Sequence, residues 1–176
     1  PGDDNELPFF CYLSMKSFML CNQGSPLTLV TNVEPQGEIW KELSPYVSLE
    51  FFSTNDLVEK DELQGESCLQ RIRKLSREGG IYFDVDIFFF DSLPQDLFEE
   101  NLVMPKQPDG EILNNGFIMA DPDSLELQYL HAAAERRAKK NTFWCSAIHE
   151  PERPEYAGVR VLNDSEMIHR RPQSRI

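Results

Sequence analysis

The chain has 176 residues, which suits a single domain, and its 40% apolar content indicates a folded core rather than a disordered chain. Its 30 acidic and 17 basic residues give a net charge of −13. This charge disfavours nonspecific nucleic-acid binding, which needs Lys and Arg to neutralise phosphates. The sequence has no apolar run long enough to cross a bilayer, and its first residues carry no signal-peptide pattern.

The N-terminal part of the chain predicts helices that alternate with strands. Pro8 can open a helix, because the N–H that proline lacks has no partner in the first turn. The apolar residues that follow predict a largely buried helix that ends at 22–26. Three elements come next, namely a buried strand at 27–31, a short helix at 38–43 and a strand at 47–52. The polar, acidic stretch 53–64 predicts a surface loop.

The remainder of the chain continues this alternation. A helix at 67–78 leads into a turn at Gly79-Gly80 and then into a short strand. The later elements are a one-turn helix at 94–98, strands near 102–103 and at 116–119, a helix at 124–140 and a strand at 159–162. Strands separated by helices favour an α/β sheet with parallel pairings.

The four cysteines show neither the spacing of a zinc site nor the density of a disulfide framework. Cys11 and Cys21 both fall in the first predicted helix. Because free cysteine behaves as a small apolar side chain, we expect these two to fill a buried helix face.

The stretch 79–86 is the most informative part of the sequence. It joins a double-glycine turn, a short apolar strand and two carboxylates, Asp84 and Asp86, at the end of that strand. Mg²⁺ and Mn²⁺ prefer oxygen ligands and usually keep open positions for substrate phosphates. Ligands of open α/β sheets bind outside the carboxyl ends of the strands. The pattern therefore predicts a metal site at Asp84 and Asp86, and nucleotide-sugar chemistry beside it.

A second D-x-D occurs at Asp121-Pro122-Asp123, directly before a helical pattern. This position is typical of a turn followed by a helix cap. Because an isolated D-x-D most often has such a structural role, only the strand and the glycine turn favour Asp84 and Asp86 as a functional pair.

A set of segments then follows an order that is typical of one protein family. In chain order the segments are 12–17, 31–40, Ser67 with Arg71, 79–86, 93–98, 115–120, Trp144 with Ser146, and 159–162. Across roughly residues 8–168, the chain resembles the DXD-containing sugar-binding region of glycosyltransferases related to fungal initiating mannosyltransferases and capsular-polysaccharide transferases.

This resemblance implies a GT-A-like mixed, mostly parallel sheet flanked by helices. It implies one glycosyltransferase-like domain over 1–168, incomplete at both ends, and a disordered tail at 169–176. The implied activity is transfer of a sugar from a nucleotide-diphosphate sugar to a hydroxyl of a glycan, lipid or protein, usually with retention at the anomeric carbon. Mn²⁺ or Mg²⁺ is the implied cofactor, nucleic acid is not an expected partner, and Golgi lumen and cytoplasm both stay open as compartments.

The resemblance also implies roles for single residues, although it names no catalytic residue. Asp86 is implied to bind the metal directly, and Asp84 to contact the donor ribose or a metal-bound water. Arg71 is implied to reach the donor sugar or phosphate, while Tyr82 and Asn115 line the donor pocket. Without the resemblance, Arg71 is a solvated helix residue in a charged run, Tyr82 is a core strand residue and Asn115 is a turn residue.

One departure from the family leaves activity open. Cys68 stands three positions before Arg71, where the family usually has Asp. Residues three apart share a helix face, and a cysteine, mostly neutral at pH 7, cannot accept sugar-hydroxyl hydrogen bonds as a carboxylate does. A degenerate, non-catalytic nucleotide-sugar-binding or interaction module is therefore the alternative. A phosphatase of the haloacid-dehalogenase type fits less well, because Phe88 stands where that class usually has Thr or Val.

Overall fold

The computed structural model of the chain describes residues 5–53, 60–106, 113–138 and 158–162. The chain divides into two compact units. The first comprises Pro1–Asp56 and Val85–Leu93, and the second comprises Leu57–Asp84 and Pro94–Ile176. The single domain over 1–168 stays a prediction, and the predicted tail at 169–176 lies outside the described residues. Within the described part of the chain, no helix is long and apolar enough to span a membrane.

The first unit contains two helices and a two-stranded parallel sheet. Its elements are α1 (Phe9–Cys21), β1 (Leu27–Thr31), α2 (Gly37–Leu43) and β2 (Val47–Phe51). The two strands pair from Leu27 opposite Val47 to Thr31 opposite Phe51. Its core contains Cys11, Met15, Leu43 and Val47. These elements lie close to where the sequence predicts them.

The expectation that α1 is largely buried is wrong. The buried residues of α1 are Cys11, Ser14, Met15 and Phe18, whose spacing defines one face of the helix. Phe9 and Leu20 are 62% and 63% exposed. Apolar residues lie on more than one side of α1, and the core covers only one of those sides. The cysteine prediction is confirmed for Cys11, whereas Cys21 is half-buried.

The second unit contains two helices and a four-stranded sheet of order β3-β5-β4-β6. Its elements are α3 (Lys60–Glu78), β3 (Gly80–Phe83), a 3₁₀ turn (Gln95–Glu99), β4 (Leu102–Pro105), β5 (Phe117–Ala120), α4 (Leu125–Ala138) and β6 (Arg160–Leu162). Its core joins both helices to the sheet through Cys68, Leu69, Ile72, Leu75, Leu102, Met104, Leu113, Ile118, Ala120, Leu127, Leu130 and Ala134.

The mixed α/β architecture is confirmed, with helices packed on the sheet. Strand direction differs from the expectation, because the described pairings are two parallel (β1 with β2, β4 with β6) and two antiparallel (β3 with β5, β4 with β5). Lys106 bridges Leu113 in antiparallel fashion, so β4 and β5 follow each other as in a hairpin. Parallel strands would need a crossover of a dozen or more residues.

The predicted surface loop at 53–64 is also wrong in part, because α3 begins at Lys60. Residues 60–64 are Lys, Asp, Glu, Leu and Gln, most of which are good helix formers. High polarity therefore does not exclude helix at this position.

Candidate functional site

A glycine turn fixes the start of β3. The N–H of Gly79 donates to the carbonyl of Leu75 over 2.8 Å and so closes the end of α3. Gly79 has φ +64°, and a Cβ at this position would lie 2.5 Å from Cδ of Pro122. Only glycine meets both requirements. The sequence prediction of a turn at Gly79-Gly80 is confirmed, since Gly80 also has a positive φ, +101°.

The other end of β3 positions Asp84. Strands β3 and β5 are antiparallel, with Phe83 opposite Phe117. The N–H of Asp84 continues this pairing by donating to the carbonyl of Gly116 over 2.7 Å. The backbone of Asp84 is therefore held at the carboxyl end of the strand, as the sequence predicts.

Arg71 and Tyr82 both hold the carboxylate of Asp84. Nη1 of Arg71 lies 3.0 Å from Oδ1 of Asp84, and the Arg71 side chain is 8% exposed against 38% for Asp84. The hydroxyl of Tyr82 donates a short hydrogen bond to the same Oδ1. The guanidinium carbon of Arg71 lies 4.3 Å from the centre of the Tyr82 ring, which is a cation–π distance. The interpretation of Arg71 as a solvated helix residue is thus excluded.

Asn115 completes this group of residues. Nη1 of Arg71 also donates to the Asn115 carbonyl over 3.0 Å. The Asn115 side chain donates in turn to Sγ of Cys68 over 3.6 Å. We call Arg71, Tyr82, Asp84 and Asn115 the Arg71 cluster. The structure brings together the four residues to which the family resemblance gives donor-binding roles, and Cys68, a core residue, bonds to one of them.

Two residues beside the cluster were missed at the sequence level. Oδ1 of Asn114 accepts the N–H of Gly116 over 2.7 Å and so shapes the turn before β5. A Cβ on Gly116 would lie 2.9 Å from Oδ2 of Asp84. The glycine therefore makes room for this carboxylate oxygen to lie close to the backbone. The Asn-Asn-Gly sequence is a turn signal that could have indicated both residues.

Burial determines the proton state of Tyr82. Removal of its phenol from water raises the pKa of Tyr82 far above its ordinary value, and the neighbouring carboxylate of Asp84 raises it further, against the opposing effect of Arg71. Like an ordinary tyrosine, Tyr82 is a neutral hydrogen-bond donor at physiological pH, and its raised pKa extends this state to more alkaline pH. Nε of Arg71 is buried and finds no hydrogen-bond partner among the described residues.

Asp86 does not belong to this cluster. It is exposed in the turn after β3 and belongs to the first compact unit, whereas Asp84 belongs to the second. The described residues include no group of three or more His, Cys, Asp or Glu side chains that could hold a metal. The predicted metal site at Asp84 and Asp86 therefore stays a prediction, based on sequence spacing.

The second D-x-D has the structural role that the sequence predicts. Oδ1 of Asp121 accepts the N–H of Asp123 over 3.0 Å, and the Asp121 carbonyl accepts the N–H of Ser124 over 3.1 Å. Oγ of Ser124 accepts the N–H of Leu127 over 3.1 Å. Asp121 thus closes an Asx turn, and Ser124 caps α4.

Comparison with known proteins supports the fold. No protein-family model matches the chain, and no curated protein matches it significantly. Among solved structures, 34 chains match. One of them, named PaToxG Glycosyltransferase, aligns with a TM-score of 0.58 and 12% identity, and the alignment covers 84% of this chain and 61% of that chain.

The chain therefore has a glycosyltransferase-like α/β fold and spans about three fifths of the length of that structural neighbour. At 12% identity, the likeness concerns the fold alone. The D-x-D site and the particular transferase families named above stay predictions.

Proposed function

We propose that this chain acts as a glycosyltransferase domain, which binds a nucleotide-diphosphate sugar at the end of β3 and transfers the sugar to a hydroxyl acceptor. One observation carries the proposal: on a glycosyltransferase-like fold, a carboxylate at the carboxyl end of a strand is held by a buried arginine and tyrosine. Ligands of α/β sheets bind at such strand ends.

The geometry of Asp84 suits recognition of a polar ligand. Its Oδ1 is occupied by Arg71 and Tyr82, so the carboxylate cannot rotate freely. The side chain still keeps 38% of its surface exposed, and both of its described donors meet Oδ1 rather than Oδ2. A donor hydroxyl or a metal-bound water that meets Oδ2 would thus find an acceptor whose orientation is already fixed, which lowers the entropic cost of binding.

The donor set fits one kind of metal ion. Asp84 and Asp86 supply carboxylate oxygens, which Mn²⁺ and Mg²⁺ prefer, but two carboxylates do not make a closed cage. They fit a cation whose other ligands are diphosphate oxygens and water. When bound, such a cation neutralises charge that develops on the departing diphosphate. Asp86 enters this proposal through its sequence spacing from Asp84, and the acceptor class and retention through the family resemblance.

A second candidate function is donor binding without transfer. It is favoured by Cys68, which is 2% exposed within the core and bonds to the amide of Asn115. A carboxylate at this helix position would offer a further acceptor for donor hydroxyls, and a thiol does not replace it. Loss of a hydrogen bond to a charged group costs about 1.5–3 kcal/mol, or about tenfold to a hundredfold in affinity or rate.

Thermal unfolding across a panel of UDP- and GDP-sugars, with Mn²⁺ or with EDTA, tests the proposal. A ligand at about 100 times its Kd adds about 2.7 kcal/mol, which for a chain of this size shifts the Tm by about 5–10 °C. We expect a Mn²⁺-dependent shift with one donor class, lost in Asp84→Asn and Asp86→Asn. The matched control is Asp123→Asn in the second D-x-D, which should keep the shift. No shift with any donor would contradict the proposal.

Release of nucleoside diphosphate from the donor that binds separates the two candidates. A transferase releases it with time and faster with acceptor, and NMR of the product reports the anomeric configuration. Binding without release would favour the non-catalytic module.

A further inference from the structure

The described polar contacts of Arg71 and Tyr82 are with other groups of the protein, above all with Oδ1 of Asp84. We propose that both are positioning residues, which act on a nucleotide-sugar donor only through Asp84 and do not touch the donor. This inference rests on the proposed function and changes the roles that the sequence suggests for Arg71 and Tyr82.

The contacts of Arg71 are directed into the protein. Its side chain is 8% exposed, and Nη1 is shared between Oδ1 of Asp84 and the carbonyl of Asn115, each at 3.0 Å. The ring of Tyr82 lies 4.3 Å from the guanidinium carbon. Nε is buried from solvent. These contacts occupy Nη1 and one face of the guanidinium, so a donor that approached Arg71 there would have to displace a protein group.

The one polar atom of the Tyr82 side chain is directed to Asp84. Its hydroxyl donates to Oδ1 of Asp84, and its ring covers Arg71. The hydroxyl is the donor of this pair, because an ionised carboxylate can only accept. Oδ1 therefore receives two donors, and Oδ2 is the oxygen that remains for a ligand.

The same contacts tie two backbone segments together. Arg71 extends from α3 to Asp84 after β3 and to the carbonyl of Asn115 before β5. The N–H of Asp84 bonds to Gly116 in the second of these segments. Loss of the guanidinium would leave Oδ1 of Asp84 with Tyr82 alone and would remove the side-chain donor of the Asn115 carbonyl. Asp84 would then have to be ordered again when a donor binds, and binding would weaken.

A double-mutant cycle on nucleotide affinity tests this inference. The probes are Mn²⁺-UDP and Mn²⁺-GDP, and Kd is measured by titration calorimetry for wild type, Arg71→Met, Asp84→Asn and the double variant. We expect each single change to raise Kd about tenfold or more. Because Arg71 acts through Asp84, the double variant should bind as Asp84→Asn does, within about twofold.

Independent losses that multiply in the double variant would overturn the inference, since they would show direct contact of Arg71 with the nucleotide. An unchanged Kd in folded Arg71→Met would overturn it too, because the arginine would then serve folding alone. If neither nucleotide binds wild type, the proposed function fails and the inference fails with it. That outcome is distinct, because it appears before any variant is made.

If Arg71→Met does not fold, a double-mutant cycle of Tyr82→Phe with Asp84→Asn tests the same inference with a smaller change. Tyr82→Phe removes one hydroxyl and keeps the ring over Arg71. We expect it to raise Kd several-fold in the wild-type background and to change nothing in the Asp84→Asn background. An equal loss in both backgrounds would overturn the inference. The charge-matched control is Arg77→Met, because the Arg77 side chain is 66% exposed in the wild type. It should leave the Kd of Mn²⁺-UDP and that of Mn²⁺-GDP unchanged.

Discussion

Asp84 and Asp121 each begin a D-x-D, yet their side chains have different partners. Oδ1 of Asp121 accepts a hydrogen bond from the backbone N–H of Asp123, two residues along the chain. Oδ1 of Asp84 meets Arg71 and Tyr82, and the Arg71 side chain is 8% exposed. The first contact needs only local sequence, whereas the second needs α3, β3 and β5 to be assembled.

This difference shows what distinguishes a structural D-x-D from a candidate binding site in this fold. A carboxylate such as that of Asp121 accepts a hydrogen bond from a backbone N–H of its own turn, which would otherwise lack a partner, and so stabilises the start of a helix. A carboxylate held by a buried cation is ordered by distant residues and keeps an oxygen for another partner. Both segments have the D-x-D pattern, but only the one at the end of β3 meets side chains from other parts of the fold.

The largest expected effect comes from a substitution at Gly79, in the turn that precedes β3 and packs on Pro122 of the second D-x-D. Gly79→Ala places a Cβ 2.5 Å from Cδ of Pro122, in a residue with φ +64°. We expect a loss of about 2–4 kcal/mol in the free energy of unfolding, from strain and overpacking together, measured by urea titration. Gly24→Ala, at φ +84° with no described atom within 4 Å, isolates the strain and should lose about 1 kcal/mol. Equal losses would contradict the close packing of Gly79 on Pro122.

Removal of Arg71 comes next. Arg71→Met leaves Asp84 and the Asn115 carbonyl without their shared donor, and we expect a loss of about 2 kcal/mol. This is below the value for a fully buried pair because Asp84 is partly solvated. Arg77→Met, at a 66% exposed side chain, should change stability by less than about 0.5 kcal/mol. Similar losses in the two variants would show that the Arg71 pair behaves as a surface ion pair.

A crossed pair of substitutions at the two D-x-D segments follows. Asp121→Ala removes the acceptor of the Asx turn and should cost about 1 kcal/mol of stability, with nucleotide affinity unchanged. Asp84→Asn should weaken Mn²⁺-nucleotide binding about tenfold or more. Chemical denaturation and titration calorimetry on both variants measure the two effects. If Asp121→Ala weakened nucleotide binding as Asp84→Asn does, the distinction between the two segments would be wrong.

The smallest expected effect is on the pH dependence of stability. Because the pKa of Tyr82 is raised in the folded state, the folded chain keeps its phenol proton when the unfolded chain begins to lose it near pH 10. The stability that this proton gives is complete below pH 10 and is lost as pH rises further. At pH 10.5 the loss is on the order of 1 kcal/mol. Tyr82→Phe should lack this part of the decline, and identical pH profiles of wild type and variant would contradict the burial of Tyr82.

Much of the fold follows from local sequence. β1 and β5 are short apolar runs next to turn residues, and the turn at Gly79-Gly80 needs a φ that glycine adopts freely. Strand direction does not follow, because the alternation of helix and strand leaves open whether β4 and β5 join as a hairpin. The start of α3 at Lys60 is hidden because a polar helix start and a polar loop share the same composition.

The candidate site, too, could be predicted only where it depends on local sequence. Asp84 ends an apolar strand, so its place at the sheet edge follows from the sequence. The burial of Arg71 is hidden in a charged run, although its positions three after Cys68 and four before Leu75, both core residues, place it beside the buried stripe of α3. The contact of Gly116 with Asp84 depends on the register of β3 with β5, which strand periodicity does not specify.

A crystal structure of the chain with Mn²⁺ and the nucleoside diphosphate that stabilises it most would test the central claim directly. The account predicts the nucleotide at the carboxyl end of β3, with Oδ2 of Asp84 within hydrogen-bond distance of a ribose hydroxyl or a metal-bound water. The same account predicts that Arg71 and Tyr82 still bond to Oδ1. Density for the nucleotide elsewhere, with Asp84 in contact only with Arg71 and Tyr82, would contradict a donor site at this strand end.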